Sequence, residues 1–321
     1  MNSTVSEKLA QLTPYGYLHS KVAPTVTLTS KENWFDFATD GQLALFLPVI
    51  AYWTVSGFYH ILDVYNLAEK YRIHPPEEIT SRNKVGRFEV LYTVLFQHLI
   101  QVIVAYAFLQ LEPAQTTGFE MNSMWKWRQA LPFWVPDVAI YYGYSYAFPF
   151  AKIFTGFVII DTWQYWLHRL MHVNSTLYKR YHSVHHRLYV PYAYGALYNA
   201  PTEGFLLDTL GTGIAMMITQ LNHKEQVILF TFATLKTVDD HCGFTLPFDP
   251  FPMIFPNNTI YHDIHHQNWG IKYNYGQPFF TFWDTLFSTD YKGIDSYKEK
   301  QKQITLEKYK EFLKERKQKK N

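Results

Sequence analysis

Two long runs without charged residues stand out in the first half of the chain. Residues 43–62 and 90–111 contain no Asp, Glu, Lys or Arg, and a helix needs roughly 20 residues to cross the hydrocarbon core of a bilayer. A third apolar run, at 138–160, contains Lys152 and also Pro149, which favours a kink. The pattern predicts three membrane-spanning helices.

Two shorter apolar pieces follow in the second half, at 205–221 and 227–238, joined by the polar sequence NHKEQ. They are short for ordinary spans, so they predict a hairpin of short or re-entrant membrane helices at 205–238. The expected fold is an all-α integral membrane helical bundle of about four to five spans. Buried helices of a soluble protein are the alternative, although two uncharged runs of this length are rare in soluble domains.

Composition agrees with a membrane protein and excludes several other classes. Aromatic residues make up 18% of the chain and charged residues 17%, whereas charged residues average about 25% in soluble domains. A net charge of +2 argues against a nucleic-acid partner, whose many phosphates require a strongly basic surface. A single cysteine, Cys242, excludes internal disulfides and thiolate metal clusters.

Basic residues near the ends of the apolar runs predict the orientation of the chain. Loop 112–135 carries only Lys126 and Arg128, whereas five basic residues lie between the first two runs. Because Lys and Arg accumulate on the cytosolic side, loop 63–88 is expected to be cytosolic. Counting crossings places the residues after the third run on the same side. The five basic residues are Lys70, Arg72, Arg82, Lys84 and Arg87.

Histidines recur with a fixed spacing in the second half of the chain. The segments YHSVHHR at 181–187 and YHDIHHQ at 261–267 both place three histidines at positions i, i+3 and i+4. These three positions share one face of a helix, whereas in a strand position i+3 points away from positions i and i+4. A further pair at i and i+4 lies in WLHRLMH at 166–172. We call the segments at 166–172, 181–187 and 261–267 the first, second and third histidine boxes. Each box predicts a helical set of metal ligands.

The number of histidines indicates more than one metal ion. His241, in the sequence DDHCG, is a ninth candidate beside the eight histidines of the boxes. One ion has room for about four to six ligands, so the set predicts a dinuclear site in a cytosolic cap. Imidazole suits zinc, copper, iron and nickel alike, so the metal stays open at this point. The candidate ligands are His168, His172, His182, His185, His186, His241, His262, His265 and His266.

Other titratable residues have secondary interpretations. Carboxylates near the boxes are candidates to orient ligand imidazoles through the second ring nitrogen. They are Asp161, Asp239, Asp240 and Asp263. The remaining histidines occur singly and are interpreted as structural or surface residues. They are His19, His60, His74, His98 and His223. A pH-sensing histidine cluster is the alternative to a metal site, but it would not require the repeated spacing.

The boxes resemble those of the fatty acid hydroxylase/sterol desaturase superfamily, integral membrane oxygenases of the endoplasmic reticulum. The resemblance is carried by DTWQYWLHRLMH, YHSVHHR, DDHCGF and YHDIHHQNWGI, and it covers about residues 40–315. Segments outside the boxes, at 67–78, 191–213 and 278–287, resemble the sphingoid-base hydroxylases of this superfamily. Many relatives have His-Pro where this chain has Ala200-Pro201, so no ligand is carried over to that position.

The resemblance implies a di-iron centre, with zinc as a replacement occupant, that uses O2. It also implies electrons from NADH, delivered by cytochrome b5 and its reductase as separate partners. The implied reaction is hydroxylation at carbon 4 of a long-chain base or its ceramide, which enters from the bilayer. A sterol desaturase or methyl-sterol oxidase would use the same boxes. A membrane metal carrier is the alternative outside enzymes, but it would need ionisable groups along a path through the bilayer.

These inferences divide the chain into four regions. A lumenal segment at 1–40 precedes the spans and their cytosolic loop at 41–160. The catalytic region at 161–290 contains the boxes and the 205–238 hairpin, and a basic cytosolic tail follows at 291–321. The tail ends in KERKQKKN, which resembles a dilysine retrieval signal of the endoplasmic reticulum. A solvated basic tail is the alternative. The expected location is the endoplasmic reticulum membrane, with the site facing the cytosol.

Overall fold

Helices make up nearly all of the regular structure in the computed structural model, which describes residues 14–318. The main helices are α1 Asp40–Val64, α2 Pro76–Arg82, α3 Arg87–Leu111, α4 Glu120–Ala130, α5 Asp137–Val173, α6 Leu210–Thr219, α7 His223–Asp240, α8 Thr259–His266 and α9 Ile294–Gln318. Two short strands, β1 Thr29–Ser30 and β2 Thr116–Thr117, pair antiparallel. The prediction of a helical fold is confirmed.

Short helical turns connect these elements. They are Gly16–His19, Glu69–Tyr71, Ser175–Leu177, Tyr178–His182, His185–Arg187, Ala193–Gly195, Pro201–Gly204, Phe205–Thr209, Phe251–Ile254 and Phe282–Leu286. Several of them lie in the segments that carry the histidine boxes, where the backbone must turn sharply to bring side chains from distant segments together.

Within residues 14–318, three helices are long and apolar enough to cross a membrane. They are α1 and α3, with 25 residues each, and α5, with 37 residues. The third apolar run thus forms one continuous helix, which passes through a turn of π-helix at Gly143–Ala147 just before Pro149. Large apolar side chains on these helices are exposed on the outside of the bundle, among them Phe46, Ile50, Phe96, Leu99, Ile103, Phe150 and Phe154. Exposed apolar surface of this kind suits contact with lipid.

The 205–238 segment forms a helical hairpin, but neither of its helices qualifies as a span among the described residues. Helix α6 continues directly from the turns at Pro201–Gly204 and Phe205–Thr209, where Glu203 and Asp208 interrupt the apolar sequence. Helix α7 carries Lys236, Asp239 and Asp240 near its end. The described residues therefore contain three candidate spans, and the predicted number of four to five is not confirmed. The hairpin packs within the bundle, α6 against α5 and α7 along α1.

Local sequence signals set the ends of the hairpin helices. Helix α6 ends at Gln220, whose φ of 51° is left-handed. The side chain of Asn222 then caps α7 by accepting from the backbone N–H of Glu225, whose own side chain accepts from the backbone N–H of Asn222. This reciprocal pair satisfies two backbone donors at the start of α7 and fixes where the returning helix begins.

The loop between α1 and α3 packs against the segments that carry the histidines. Its backbone joins the residues after α7, where Ile73 donates to the carbonyl of Gly243 at 3.0 Å. Farther along the loop, His74 hydrogen-bonds Asp263 of α8 at 3.0 Å. The loop predicted to be cytosolic and the histidine boxes therefore lie on the same end of the bundle.

Asp63 joins this loop to the ends of two spans. It lies at the end of α1 and forms ion pairs with Arg72 of the loop and Arg87 at the start of α3. Asp63 and Arg72 are almost fully buried. A buried ion pair depends on both partners, because removing one leaves an uncompensated charge.

We expect Asp63→Ala to lower the free energy of unfolding by about 1–3 kcal/mol, because Arg72 stays buried and keeps only Glu69 as a carboxylate partner. Thermal unfolding of the full chain in detergent measures the effect. A matched control is Glu311→Ala, which removes an exposed carboxylate paired with Lys308 and should change stability by less than about 1 kcal/mol. Equal effects of the two substitutions would contradict the role of Asp63.

Candidate metal centre

All nine histidines predicted as ligands meet at one end of the bundle. His168 and His172 lie in the last two turns of α5, and His241 directly follows α7. The second box lies in the chain just after α5, and the third box forms α8. The five histidines predicted to be structural lie outside the two groups that these nine form.

The nine side chains form two groups, and the ligand atoms within each group lie within 4.8 Å of one another. The first group contains His168, His172, His182, His186 and His265. The second group contains His185, His241, His262 and His266. Only imidazoles make up either group, so both are neutral ligand sets without a carboxylate.

Each of the two repeated boxes contributes histidines to both groups. In the second box, His182 and His186 join the first group while His185 joins the second. The third box does the reverse, because its middle histidine, His265, joins the first group. Each box therefore contributes its i and i+4 histidines to one group and its i+3 histidine to the other. The repeat in the sequence reflects this reciprocal arrangement.

The second box is not the regular helix that its spacing predicts. A turn of π-helix ends at His182, and a 3₁₀ turn begins at His185. A wide turn followed by a tight one changes the direction of successive side chains relative to an α-helix. The box is therefore helical only locally, whereas the third box lies in the α-helix α8.

Main-chain carbonyls fix the protonation of the first group. His168 Nδ1 lies 2.8 Å from the carbonyl oxygen of Tyr275, and His265 Nδ1 lies 2.7 Å from that of Tyr273. A carbonyl only accepts, so Nδ1 carries the proton and Nε2 of the neutral ring is bare. The bare Nε2 of His168 then lies 3.0 Å from Nε2 of His182.

The second group is arranged in the same way. His266 Nδ1 donates to the carbonyl of Leu188 at 2.7 Å, and His241 Nδ1 donates to that of Thr237 at 2.8 Å. Their bare Nε2 atoms lie 3.1 and 2.9 Å from Nε2 of His262. Three ring nitrogens therefore converge with at most one proton among them while the rings are neutral.

A metal ion fits this geometry. At a metal–nitrogen distance of about 2.1 Å, two imidazole nitrogens at a right angle around one ion are about 3.0 Å apart. The separations of 2.9 to 3.2 Å between neighbouring Nε2 atoms match that value. Without a cation the facing lone pairs would repel one another. The histidines therefore fit metal ions in both groups.

Burial keeps the imidazoles in the neutral form that metal binding requires. It lowers the pKa of His185 to about 4 and, with a further contribution from the charge of His185, that of His241 to about 3. Burial also lowers the pKa values of His182, His262 and His265 well below their usual value. These shifts favour the neutral, metal-binding form of the imidazoles.

The four carboxylates predicted to orient ligand imidazoles have other partners. Asp161 accepts from the backbone N–H groups of Phe279 and Phe280, both at 2.9 Å. Asp239 accepts from Tyr59, Asp240 pairs with Lys236, and Asp263 bonds His74 and Tyr297.

Within residues 14–318, none of these four carboxylates hydrogen-bonds one of the nine histidines, which corrects the prediction. Neighbours in a helix point in different directions. Asp161 shares a helix face with His168 but lies two turns, about 10 Å, away.

Glu203 takes the role that was expected of these aspartates. Its Oε1 accepts a short hydrogen bond from Nδ1 of His182, and the side chain is only 1% exposed. A carboxylate that binds the second nitrogen of a ligand imidazole orients the ring and raises its basicity. One feature of the sequence could have revealed this role. Glu203 is an acidic residue just before the apolar run 205–221, where an unpaired charge would be costly.

Asp284 holds the loop that provides two of the carbonyls. Its carboxylate accepts from the backbone N–H of Tyr275 at 3.0 Å and from the hydroxyl of Tyr261 at 2.8 Å. Asn274, which has a left-handed φ of 56°, donates from its side chain to the carbonyl of Tyr261 at 2.8 Å. Both side chains are fully buried. The loop is therefore fixed to α8, which carries the third box.

An apolar cavity of about 320 Å³ lies between α1, α3, α6 and α7. Leu45, Val102, Phe108, Met216 and Phe230 are among the side chains that line it. A smaller pocket adjoins it and is lined by His182, His185, His241 and His262. The cavity and the pocket share Gln164, Leu197, Asp208, Thr237 and Pro278 in their walls. A long apolar ligand could therefore extend from the bundle to the metal centre.

Comparison with known proteins identifies the family of the chain. The model of the fatty acid hydroxylase family matches residues 153–289, which include all nine histidines. The chain is 61% identical over 304 residues to sphingolipid C4-hydroxylase SUR2 of Saccharomyces cerevisiae, with 95% of this chain and 87% of that protein covered. No solved structure matches.

More distant relatives share the same region. Sphinganine C4-monooxygenase 1 of Arabidopsis thaliana is 41% identical over 251 residues, covering 78% of this chain and 88% of the plant protein. Methylsterol monooxygenase 1 of Rattus norvegicus is 31% identical over 278 residues, covering 84% and 83%. The histidine groups and these similarities lead to one conclusion: the chain belongs to the fatty acid hydroxylase family.

Proposed function

We propose that this protein hydroxylates carbon 4 of sphinganine or dihydroceramide and so forms phytosphingosine or phytoceramide. One atom of O2 enters the product and the other leaves as water, with two electrons supplied by NADH through cytochrome b5 and its reductase. The observation that carries the proposal is the apolar cavity that adjoins a pocket lined by histidines of both groups. The two C4-hydroxylating relatives described above support the choice of substrate.

Two iron ions would be held by the nine histidines, five around one ion and four around the other. When bound, iron supplies the activation of O2 that cleavage of an unactivated C–H bond requires, because no side chain is a sufficient oxidant. Imidazole also binds zinc, so zinc can replace iron without supplying this chemistry.

The remaining residues position the ligands and the substrate. Carbonyls of Tyr273, Tyr275 and Leu188 hold imidazoles by their Nδ1 protons, and Glu203 holds His182. The cavity binds the apolar chain and keeps water from it, which aligns one carbon with the centre. Such alignment reduces the entropic cost of reaction.

The rival functions fit these features less well. Identity to the methylsterol monooxygenase is 31%, against 61% and 41% for the two C4-hydroxylating relatives. A metal carrier would need ionisable groups along its path, whereas the cavity between the spans is lined mostly by apolar side chains. Both comparisons favour hydroxylation at carbon 4.

The site is proposed to face the cytosol from the endoplasmic reticulum membrane. The basic loop between α1 and α3 lies on the same end of the bundle as the histidines, and basic loops remain cytosolic. Cytochrome b5 would approach this end to deliver electrons. The segment before α1 would be lumenal and the tail after 290 cytosolic.

We expect the active protein to contain two iron ions per chain by elemental analysis. His265→Ala and His185→Ala each remove a ligand from a different group, so each should lower the metal content towards one ion and abolish activity. His223→Ala is the control, because His223 bonds Glu112 outside both groups. Less than one metal ion per chain in active protein would contradict the proposal.

The orientation is tested by a tag fused to the C-terminus. In sealed microsomes, added protease should remove this tag, because the tail is expected on the cytosolic side. The same tag inserted into loop 112–135 should be protected. If the C-terminal tag is protected instead, the proposed orientation and the cytosolic placement of the histidines are both wrong.

The reaction is tested with labelled sphinganine and oxygen-18 gas. Cells without their own hydroxylase that express this chain should form a product with one added oxygen, and that oxygen should be derived from the gas. The His185→Ala protein provides the inactive control. Loss of two hydrogens without added oxygen would indicate a desaturase, and a product oxygen derived from water would rule out the proposed oxygenase.

A further inference from the structure

The small pocket beside the histidines contains two carboxylates with unsatisfied oxygens. Glu203 and Asp208 both line it. Glu203 uses Oε1 to bind His182, but its Oε2 is buried without a hydrogen-bond partner. Asp208 accepts from the side-chain amide of Gln164 at 3.3 Å, and its Oδ2 is likewise buried without a partner. The pocket therefore offers two free acceptors.

Neither carboxylate is neutralised by Lys or Arg in the part of the chain that the structure describes. Asp240, the third acid of the same pocket, differs because it forms an ion pair with Lys236. A buried carboxylate is costly unless a donor or a positive charge faces it. The pocket is thus complementary to a small cationic group that the protein itself does not supply.

The position of the pocket indicates the identity of this cationic group, and the identification rests on the proposed function. With carbon 4 at the histidines and the apolar tail in the cavity, the head of the substrate must occupy the adjoining polar space. The head of sphinganine has an amine on carbon 2, only two bonds from carbon 4. Asp208 lies in the wall shared by the cavity and the pocket.

We propose that Asp208, assisted by Glu203, binds the protonated amine of a free long-chain base. Gln164 holds one oxygen of Asp208 and leaves the other directed to the substrate. In an N-acylated base the amine becomes an uncharged amide with a single N–H. The carboxylates therefore favour the free base over the ceramide form, and Asp208 is the residue that distinguishes the two.

Binding to the purified full chain in detergent tests this assignment. For Asp208→Asn, which keeps the size but removes the charge, we expect affinity for sphinganine to fall about tenfold or more, as for loss of a charged hydrogen bond. Affinity for N-acetylsphinganine should change less than about threefold, since an amide loses only a neutral hydrogen bond. Equal losses for the two ligands would overturn the proposal.

Asp137→Asn is the matched control, since Asp137 lies at the far end of α5 from the histidines and bonds His19. It should leave binding of both ligands unchanged. A second measurement needs no variant of Asp208. The wild-type chain should bind octadecylamine about tenfold more tightly than octadecanol, and equal binding of these ligands would contradict an amine site.

The two proposals fail in different ways. If the amine preference is found but no long-chain base is oxygenated, the pocket assignment stands and the proposed reaction is wrong. If sphinganine is oxygenated but Asp208→Asn alters neither its binding nor its KM, the reaction stands and the assignment of Asp208 is wrong.

Discussion

Convergence of uncharged imidazole nitrogens is the constraint on which the rest of the structure depends. Bare nitrogens 2.9 to 3.2 Å apart repel one another unless a cation lies between them. The protein holds them there by donating the opposite ring protons to fixed acceptors such as the carbonyls of Tyr275 and Leu188. The loop that carries the Tyr275 carbonyl is in turn held by Asp284 and Asn274, so these buried polar side chains have a positional role.

The two metal positions are coupled because each of the two repeated boxes contributes histidines to both groups. Because His185 and His265 each reach into the other box's group, neither group is complete without both segments in place. The 205–238 hairpin makes this possible by returning the chain to the end of the bundle where it started. The apolar cavity lies beside the hairpin, so the same segment assembles the centre and shapes the space for a lipid chain.

Apolar and charged side chains occupy different parts of the bundle. The outer faces of the spans expose apolar side chains, while ion pairs such as Asp63 with Arg72 lie at the end that carries the histidines. Two acids, Glu203 and Asp208, interrupt the apolar sequence that leads into α6, and they lower the hydropathy of that segment. Both acids line the pocket beside the histidines, where the polar head group of the substrate is proposed to bind.

The sequence by itself determined the helical class, the three long spans, the nine histidines that meet and the family, because each depends on local spacing or on sequence similarity. It did not determine the division into groups of five and four, the irregular turns of the second box or the role of Glu203. It also offered Asp161, Asp239, Asp240 and Asp263 as candidates to orient ligand imidazoles, and among the described residues none of them hydrogen-bonds one of the nine histidines. Those features depend on side chains brought together from distant segments, and spacing along one helix carries no information about which face of another segment will lie opposite.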